Sequence, residues 1–479
     1  MLSFAVINFA LLKEYMWLLK RRLVVVIICL VAVVSIAAVN IGEPFKDGVF
    51  IEPSLQKGGD KQKGYDYLVN GDYLKSGLGY NYYVLLNGKS KENYLARTGK
   101  AANVAYNFNF IKTPDSQNVV VPNCLQCHGQ VFDGQLVIGL GNTFIDFSKP
   151  YKKNDVRADV ARNIMRLLTP GQYRSAKTFI RSFSTIAPYL QTETQGVNAA
   201  DRLATLLVAH RNPETLEWSD TALLDIPTEV IPTDVPAWWL LKKKNAMFYN
   251  GFGRGDFGKF LMLSNLLTVK DSSEAAETYT HFGDVLAYLK SIEPPKYPRT
   301  IDAELAEKGK PIFENSCSKC HGTYGENASY PNLLIPERFI QTDSMLFKAN
   351  YQNPQFIDWF NKSWYAQGNH AARLSPFDGY IAPPLDGVWV TAPYLHNGSV
   401  PTLQALLNSK ERPQYWQRDF KKPEYDYEKI GWKYEVKDHG NSRTIYNTDK
   451  PGYRNTGHKF GDRLSTDQRK AVIEYLKTL

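Results

Sequence analysis

Apolar residues occur along this chain in two patterns, one continuous run near the N-terminus and several helix-like periods further on. The run, LVVVIICLVAVVSIAAV at 23–39, follows Lys-Arg-Arg at 20–22. Its length lies between that of a membrane-spanning helix and that of a signal-peptide core. We expect an uncleaved transmembrane anchor, with an export signal cleaved before Ala38 as the alternative. The basic flank predicts a cytoplasmic tail at 1–22 and a periplasmic remainder.

Three later segments have the spacing of amphipathic helices. Residues 282–292 place apolar side chains at helical intervals, and 303–313 continue directly toward a cysteine pair. The stretch 464–477 predicts a closing helix with Ser465 as its expected N-cap. Pro-Pro-Lys-Tyr-Pro at 294–298 cannot continue a helix, so we expect a linker there.

Composition narrows the class of protein. The chain has 479 residues, of which 43% are hydrophobic, so it can form ordinary cores and is not a disordered chain. The net charge is +9, but the longest basic run is three residues, which gives no support to a nucleic-acid partner. Five cysteines are too few for a disulfide scaffold.

Four of the five cysteines form two copies of one motif, C-x-x-C-H. Cys-Leu-Gln-Cys-His occupies 124–128 and Cys-Ser-Lys-Cys-His occupies 317–321. The C-x-x-C-H pattern attaches c-type haem, because both thiols bond to the porphyrin and the histidine ligates the iron. A zinc site would need further ligands, and a thioredoxin-like site needs a single motif after a strand. We therefore predict two covalent haems, held by Cys124, Cys127, His128, Cys317, Cys320 and His321.

The 193-residue separation of the two motif histidines leaves room for two modules. We place an N-terminal c-haem domain at 40–295 and a C-terminal c-haem domain at 296–479. The expected fold is mainly α, with two cytochrome c-like haem modules, long irregular loops and little β. The loops include the Gly-, Pro- and Tyr-rich stretches 323–338 and 407–457.

A third motif carries a family resemblance. Together with the haem motifs, TAPYLHNGSVPT at 391–402 resembles the bacterial di-haem cytochrome c peroxidase superfamily, which includes the MauG-type enzymes. The longer stretch 384–403 and TGHKFG at 456–461 resemble the branch that contains the di-haem rubber oxygenase. The likeness covers most of 100–479, but it does not identify a substrate.

The resemblance implies a division of labour between the haems. The N-terminal haem would meet oxygen or peroxide, and the C-terminal haem would store and relay electrons. The peroxidases supply a Met to the second haem downstream of the third motif, whereas no Met follows His396 in this chain. The oxygenase-like branch suggests a histidine instead, and His458 is the candidate iron ligand. This substitution would lower the haem potential and favours oxygenase-like over peroxidase-like chemistry.

The resemblance also implies roles for residues around the haems. His396 would contact a propionate or orient a ligand, with a sixth-ligand role as an alternative. The aromatic and glycine cluster at 235–257 would hold a bridge between the haems and the wall of an apolar distal pocket. Aromatic residues at this density are also typical of an ordinary core. The candidates are Trp238, Trp239 or Tyr249 for the bridge and Phe248, Phe252 or Phe257 for the wall.

Arg254 would polarise bound peroxide or pair with a propionate, with a surface salt bridge as the equal alternative. None of the acidic residues at 255–285 aligns with the distal base of the peroxidases. The family often carries a calcium between modules, but no local motif gives it a position here.

The competing function is a membrane-tethered electron carrier with both irons six-coordinate. Met247, Met262 or His281 would then supply the sixth ligand of the first haem. The enzyme would need an electron donor or an apolar substrate that the sequence does not identify.

Overall fold

The computed structural model describes residues 45–113, 115–151 and 156–479. The predicted cytoplasmic tail and the apolar run at 23–39 lie outside these ranges. Across the described ranges, no helix is both long enough and apolar enough to cross a bilayer. The chain divides into two units, Met1–Lys46 and Asp47–Leu479, and the description that follows concerns the second.

The α-helices of the described ranges differ widely in length. In chain order they are α1 Lys61–Asn70, α2 Tyr80–Asn87, α3 Leu125–His128, α4 Val156–Leu168, α5 Pro170–Ile186, α6 Ala200–Ala209, α7 Phe257–Leu261, α8 Ser272–Tyr279, α9 Phe282–Ser291, α10 Ala303–Ser316, α11 Ser318–His321, α12 Glu337–Ile340, α13 Met345–Gln352, α14 Pro354–Lys362, α15 Leu403–Leu407 and α16 Thr466–Leu476. Short 3₁₀ turns connect several of them, including Trp238–Lys242 and Val388–Val390.

Short antiparallel strands form six small sheets in the same part of the chain. The three-stranded sheets are β1 Val49–Phe50, β8 Leu333–Pro336 and β10 Gly379–Ile381; β2 Leu78–Gly79, β4 Asn118–Pro122 and β3 Phe108–Lys112; and β14 Glu435–Val436, β11 Tyr415–Gln417 and β15 Tyr446–Asn447. The two-stranded sheets are β5 Gly129–Phe132 with β6 Gln135–Ile138, β7 Gly253–Gly255 with β9 Ala372–Leu374, and β12 Tyr425–Asp426 with β13 Gly431–Trp432.

The prediction of a mainly α fold with little β is therefore wrong. The stretch 407–457, expected to be irregular, contains five of the strands. Aromatic cross-strand pairs stabilise them: Trp416 stacks on Tyr446 with ring centroids 5.2 Å apart, and Tyr425 meets Trp432 at the same distance. Each strand is only two or three residues long, so no alternating pattern is visible in the sequence.

Two pairs of helices pack closely, and the helices of each pair cross at a glycine. Helix α1 packs on α9, and α10 packs on α16. A Cβ added at Gly64 would overlap the backbone of Asp284, and one added at Gly309 would overlap the backbone of Ala471. The absence of a side chain therefore allows both helix pairs their close approach. The expected N-cap Ser465 is confirmed as part of a capping box at the start of α16.

Each of the two large hydrophobic cores contains residues from both halves of the chain. One core surrounds the first cysteine motif and includes Leu125 and Trp238. The other surrounds the second motif and includes Phe313 and Trp239. The adjacent tryptophans are both buried, yet they belong to different cores, so the boundary between the cores passes between them. The predicted division at residue 295 into two domains stays a prediction.

Candidate haem sites

Each cysteine motif folds as one helical turn. The amide of His128 donates to the carbonyl of Cys124 over 3.0 Å, and the amide of His321 donates to that of Cys317 over the same distance. Each turn therefore places its two thiols and its histidine close together, as covalent haem attachment requires.

The four thiols have the environment of attachment residues and not of nucleophiles. All four are free, and burial raises the pKa of Cys124 and of Cys320 to about 11. The amide of Asn198 donates to the sulfur of Cys127 over 3.2 Å. A thiol with a raised pKa carries little thiolate at neutral pH, so none of the four is activated as a free nucleophile.

Both motif histidines are half-buried, and desolvation favours the neutral imidazole, the form that ligates a metal ion. Burial lowers the pKa of His128 to about 3 and also lowers that of His321. Nδ1 of His321 lies 2.7 Å from the carbonyl oxygen of Pro383, which fixes the ring and leaves Nε2 for a ligand. The carbonyl of Pro236 lies near His128 and partly opposes the fall of its pKa, but unlike Pro383 it makes no hydrogen bond to Nδ1.

A second histidine faces the second motif. The ring centroids of His321 and His458 are 6.1 Å apart. Two imidazoles that ligate one metal ion from opposite sides, each with a bond of about 2 Å, hold their ring centroids about 6 Å apart. His458 is half-buried, desolvation lowers its pKa to about 3, and its Nδ1 has no hydrogen-bond partner. The residues present therefore fit a haem iron held between His321 and His458.

The loop that carries His458 is clamped by one arginine. Arg412 donates to the carbonyls of Asn455, Gly457 and His458 over distances of 2.7 to 3.0 Å. Its other two N–H groups donate to the carbonyls of residues 405 and 406. All five guanidinium donors are thereby used, so the position of His458 is set before any cofactor binds.

The third sequence motif holds the same loop from the other side. Asn397 donates to the carbonyls of Gly452 and Arg454 over 2.9 and 3.0 Å, and Asp343 accepts from the amides of the same two residues. We call the candidate haem site of His321 and His458 the second centre. The third motif supports this centre by hydrogen bonds to the backbone of the loop that carries His458.

His396, predicted as a haem-contacting residue, is engaged in a buried chain of hydrogen bonds. The Tyr380 hydroxyl donates to the carbonyl of Asp343 over 2.5 Å and lies 3.1 Å from Nε2 of His396. Because the hydroxyl hydrogen is directed at Asp343, we assign the hydrogen of this second contact to Nε2. A protonated Nε2 does not ligate iron, so this arrangement favours the orienting role over the sixth-ligand role.

Among the described residues, no second histidine faces His128 at the first centre, the candidate haem site of the first cysteine motif. The ring of His128 stacks on Trp238 at 4.4 Å. The remaining histidines are occupied elsewhere: His210 stacks on Trp218, His281 is exposed and stacks on Tyr67, His370 lies beside Asp256, and His439 is exposed. The carrier hypothesis therefore loses His281 as a buried sixth ligand, while Met247 and Met262 remain in the core around this centre.

Phenylalanines cluster in the core that contains the first centre. Phe248 contacts Phe252 at 5.1 Å and Phe260 at 5.6 Å, and Phe260 stacks on Phe360. Phe257, the other predicted wall residue, is buried at the start of α7 beneath the Lys290 side chain instead. Sequence reasoning did not identify Phe260 or Phe360, because neither has a recognisable motif.

Two cations near this cluster have no carboxylate partner among the described ion pairs. Arg254 donates to the carbonyl of Gly251, and Lys244 lies 3.4 Å from that of Phe248. Burial lowers the pKa of Arg254 to about 10 and that of Lys244 to about 8. Buried cations without a counter-ion suit an anionic ligand, and the propionates of a haem are such anions.

The candidate bridge residues occupy different positions. Trp238 packs on His128, and Nε1 of Trp239 donates to the carbonyl of Asp386 over 2.8 Å. Tyr249 instead donates to the carboxylate of Asp234 over 2.7 Å, and burial raises the pKa of that carboxyl to about 7. The tryptophans therefore connect the two cores, whereas Tyr249 belongs to a separate polar pair.

An internal duplication, not recognised from the sequence, relates the two centres. Phe248 and Leu395 have φ of 68° and 67°, and Gly251 and Gly398 have φ of 60° and 69°. Both pairs lie 147 positions apart, as do Pro236 and Pro383. The signal in the sequence is Asn-Gly at 250–251 and 397–398. His396 in one copy therefore corresponds to Tyr249 in the other.

The acidic residues at 255–285 serve other purposes. Asp256 and Asp271 cap the helices that follow them, and Asp284 accepts from the amide of Asp60. Glu277 accepts from Lys75. Over the described part of the chain, no group of three or more His, Cys, Asp or Glu side chains is arranged to hold a metal ion, so the calcium has no support.

Comparison with known families adds an independent observation. Residues 379–417 match the family described as RoxA-like, cytochrome c-like. This segment includes Tyr380, Pro383, His396 and Arg412, which together position the second centre. The match supports a c-type cytochrome with covalently bound haem and a relationship to the di-haem oxygenases and peroxidases.

Two relatives come from one bacterium, Sinorhizobium fredii (strain NBRC 101917 / NGR234). Uncharacterized protein y4iM is 28% identical over 311 residues, which cover 56% of this chain and 69% of that protein. Uncharacterized protein y4iJ is 43% identical over 253 residues, which cover 39% of this chain and 41% of that protein. The chain therefore spans less than half the length of the second relative, and neither name states an activity.

Proposed function

We propose that the chain is a di-haem c-type cytochrome oxidoreductase with one closed and one open centre. The centre at His321 and His458 stores and relays electrons, and the centre at His128 meets oxygen or peroxide. When bound, c-type haem supplies one-electron chemistry and, where an iron position is free, activation of oxygen or peroxide. Because c-type haem is attached outside the cytoplasm, the proposal includes a periplasmic or secreted location.

The observation that carries this proposal is the asymmetry between the two motif histidines. His321 faces His458 at a separation that suits two ligands of one iron, and Arg412 holds the facing loop in place. His128 has Trp238 beside it and no histidine opposite. A pure electron carrier has no need of this difference.

Oxygenase-like chemistry is favoured over peroxidase-like chemistry by the surroundings of the first centre. Its core contains Phe248, Phe252 and Phe260, while the candidate acids at 255–285 cap helices or form surface pairs. A peroxidase needs a base that moves a proton between the peroxide oxygens, whereas an apolar wall suits oxygen and a hydrocarbon. The electron donor or apolar substrate is not identified by these residues.

Carbon monoxide binding to the fully reduced holoprotein tests the proposal. One CO per two haems is expected, because CO binds only to an iron with a free position. No CO per protein would mean that Met247, Met262 or another group closes the first centre, and the carrier function would replace the proposed one. Incubation of the one-CO protein with peroxide or with oxygen and an unsaturated hydrocarbon then distinguishes the two kinds of enzyme.

A further inference from the structure

Helix α4 presents an apolar stripe to solvent. Val160, Ile164, Leu167 and Leu168 follow one another at helical spacing and are 49%, 43%, 79% and 75% exposed. Met165, on the other side of the helix, is buried. An ordinary surface helix has the reverse arrangement, with its apolar stripe inward.

A second helix extends this surface. Leu85 and Leu86 near the end of α2 are 78% and 63% exposed. The hydroxyl of Tyr82, one turn earlier on α2, lies 3.0 Å from the hydroxyl of Thr169, which directly follows Leu168. This hydrogen bond joins α2 to the residue that follows the end of α4. We define the apolar face as Leu85, Leu86, Val160, Ile164, Leu167 and Leu168.

The surroundings of the apolar face are strongly basic. Residues 149–181 contain nine Lys or Arg and two Asp, a net charge of +7 within a chain of net charge +9. Arg166 on α4 and Arg174 and Lys177 on α5 are exposed, and Lys89 is exposed just beyond α2. Arg166, Arg174 and Lys177 belong to none of the described ion pairs, so their positive charge is exposed to solvent on the two helices that carry or adjoin the apolar face.

We propose that the apolar face docks on an anionic lipid bilayer, with α4 lying in the plane of the membrane surface. An amphipathic helix with exposed aliphatic side chains and flanking basic residues has the composition of an interfacial helix. The aliphatic side chains enter the acyl boundary, and the basic side chains pair with lipid phosphates. The exposed leucines could also contact a hydrocarbon substrate or a second copy of the chain. Neither of these partners would need the basic residues beside the apolar face.

The test uses a spin label in the haem-loaded full chain. Leu167→Cys in a Cys29→Ser background offers one reactive thiol, because the other four cysteines are bonded to haem. Leu55→Cys is the matched control, since Leu55 is 73% exposed and lies outside the apolar face. The label reports only its own position, so any contribution from the apolar run at 23–39 is the same in both chains.

With phosphatidylcholine vesicles that contain phosphatidylglycerol, the label at 167 should gain accessibility to oxygen and lose accessibility to a polar nickel chelate. The label at 55 should not change, and high salt or pure phosphatidylcholine should reverse the effect at 167. An unchanged label at 167 overturns the proposal. So does a label that responds only to an emulsified hydrocarbon, which indicates a substrate surface, or only to rising protein concentration, which indicates self-association. Insensitivity to salt and to lipid charge overturns the anionic partner.

Discussion

Nε1 of Trp239 donates a hydrogen bond of 2.8 Å to the backbone oxygen of Asp386. These residues stand at equivalent positions, 147 apart, in the two duplicated segments, so the two copies of the segment meet at this pair. The neighbour of Trp239 stacks on His128, and Pro383, three residues before Asp386, accepts from His321. One ring stack, two hydrogen bonds and two short lengths of backbone therefore connect the two motif histidines.

Replacement of Trp239 should slow electron exchange between the centres. Trp239→Phe removes an oxidisable indole and leaves the partly buried Asp386 carbonyl without its donor, which costs about 1 kcal/mol of stability. We expect exchange that is slower by about tenfold, a barrier increase of about 1.4 kcal/mol, measured after flash photolysis of the half-reduced CO complex. Trp218→Phe, in a tryptophan that stacks on His210, is the matched control. Equal exchange rates in all three proteins would remove Trp239 from the route.

Loss of His458 should open the second centre. In His458→Ala the iron beside His321 loses the group that faces it, so CO binding should rise from one to two per protein. His458→Met should restore one CO per protein and raise the potential of that haem, because a thioether favours reduced iron. The exposed His439 gives the control variant His439→Ala. Unchanged CO binding in His458→Ala would show that another residue closes this centre.

Arg412 should matter to the same centre without touching the iron. Arg412→Lys keeps the charge but cannot make the five hydrogen bonds that hold the loop at 455–458. We expect a partial gain of CO binding and a broader visible spectrum of the oxidised protein, since His458 would occupy several positions. Arg338→Lys at the exposed surface is the control. A variant with wild-type spectrum and CO binding would assign Arg412 no positioning role.

The close crossing of α10 and α16 should not tolerate a side chain. Gly309→Ala places a Cβ against the backbone of Ala471, so the helices must separate, and we expect a loss of about 2–4 kcal/mol in the free energy of unfolding. Urea unfolding of the holoprotein measures this. Gly58→Ala is the control, because a Cβ at Gly58 meets no atom within 4 Å. A Gly309→Ala protein as stable as the control would mean that the crossing is looser than described.

Features formed by residues close together in the sequence were predictable, and contacts between residues far apart in the sequence were not. The C-x-x-C-H turns and the Ser465 cap depend on residues within one helical turn, so their pattern is visible directly. The strands at 415–447 depend on partners such as Trp416 and Tyr446, which are thirty positions apart. Because such partners leave no local pattern in the sequence, the expectation of little β structure was wrong.

The candidate site shows the same division. His458 was a candidate because of the family resemblance, and no local feature predicts that it faces His321. The clamp by Arg412 is formed by side-chain contacts with backbone carbonyls, which no residue pattern encodes. The duplication left one short trace, Asn-Gly at 250–251 and 397–398, because packing constrained the turn more than the residues around it.

Two tyrosine–aspartate pairs should give opposite pH dependence of stability. Burial raises the pKa of Asp234, the acceptor of Tyr249, to about 7, whereas the hydrogen bond from Tyr415 lowers the pKa of the surface residue Asp449. A raised carboxyl pKa stabilises the folded state below the unfolded value of about 4, and this stabilisation is lost as the pH rises through 7.

Asp234→Asn should therefore flatten the fall in melting temperature between pH 5 and about 8, with the variant gaining on the wild type toward pH 8 by roughly 1–3 kcal/mol. Asp201, whose pKa burial raises to about 6, keeps part of the slope in the variant. Asp449→Asn should show the opposite pH dependence. In the wild type, ionised Asp449 stabilises the folded state above the unfolded carboxyl pKa, and this stabilisation is lost as the pH falls through the lower folded pKa. Thermal unfolding of the three holoproteins from about pH 8 down to about pH 3 measures both effects, because the contribution of Asp449 changes only below the unfolded carboxyl pKa of about 4. An Asp234→Asn curve parallel to that of the wild type would show that Asp234 is already ionised in the folded protein, with Arg418 as the cation that keeps it so.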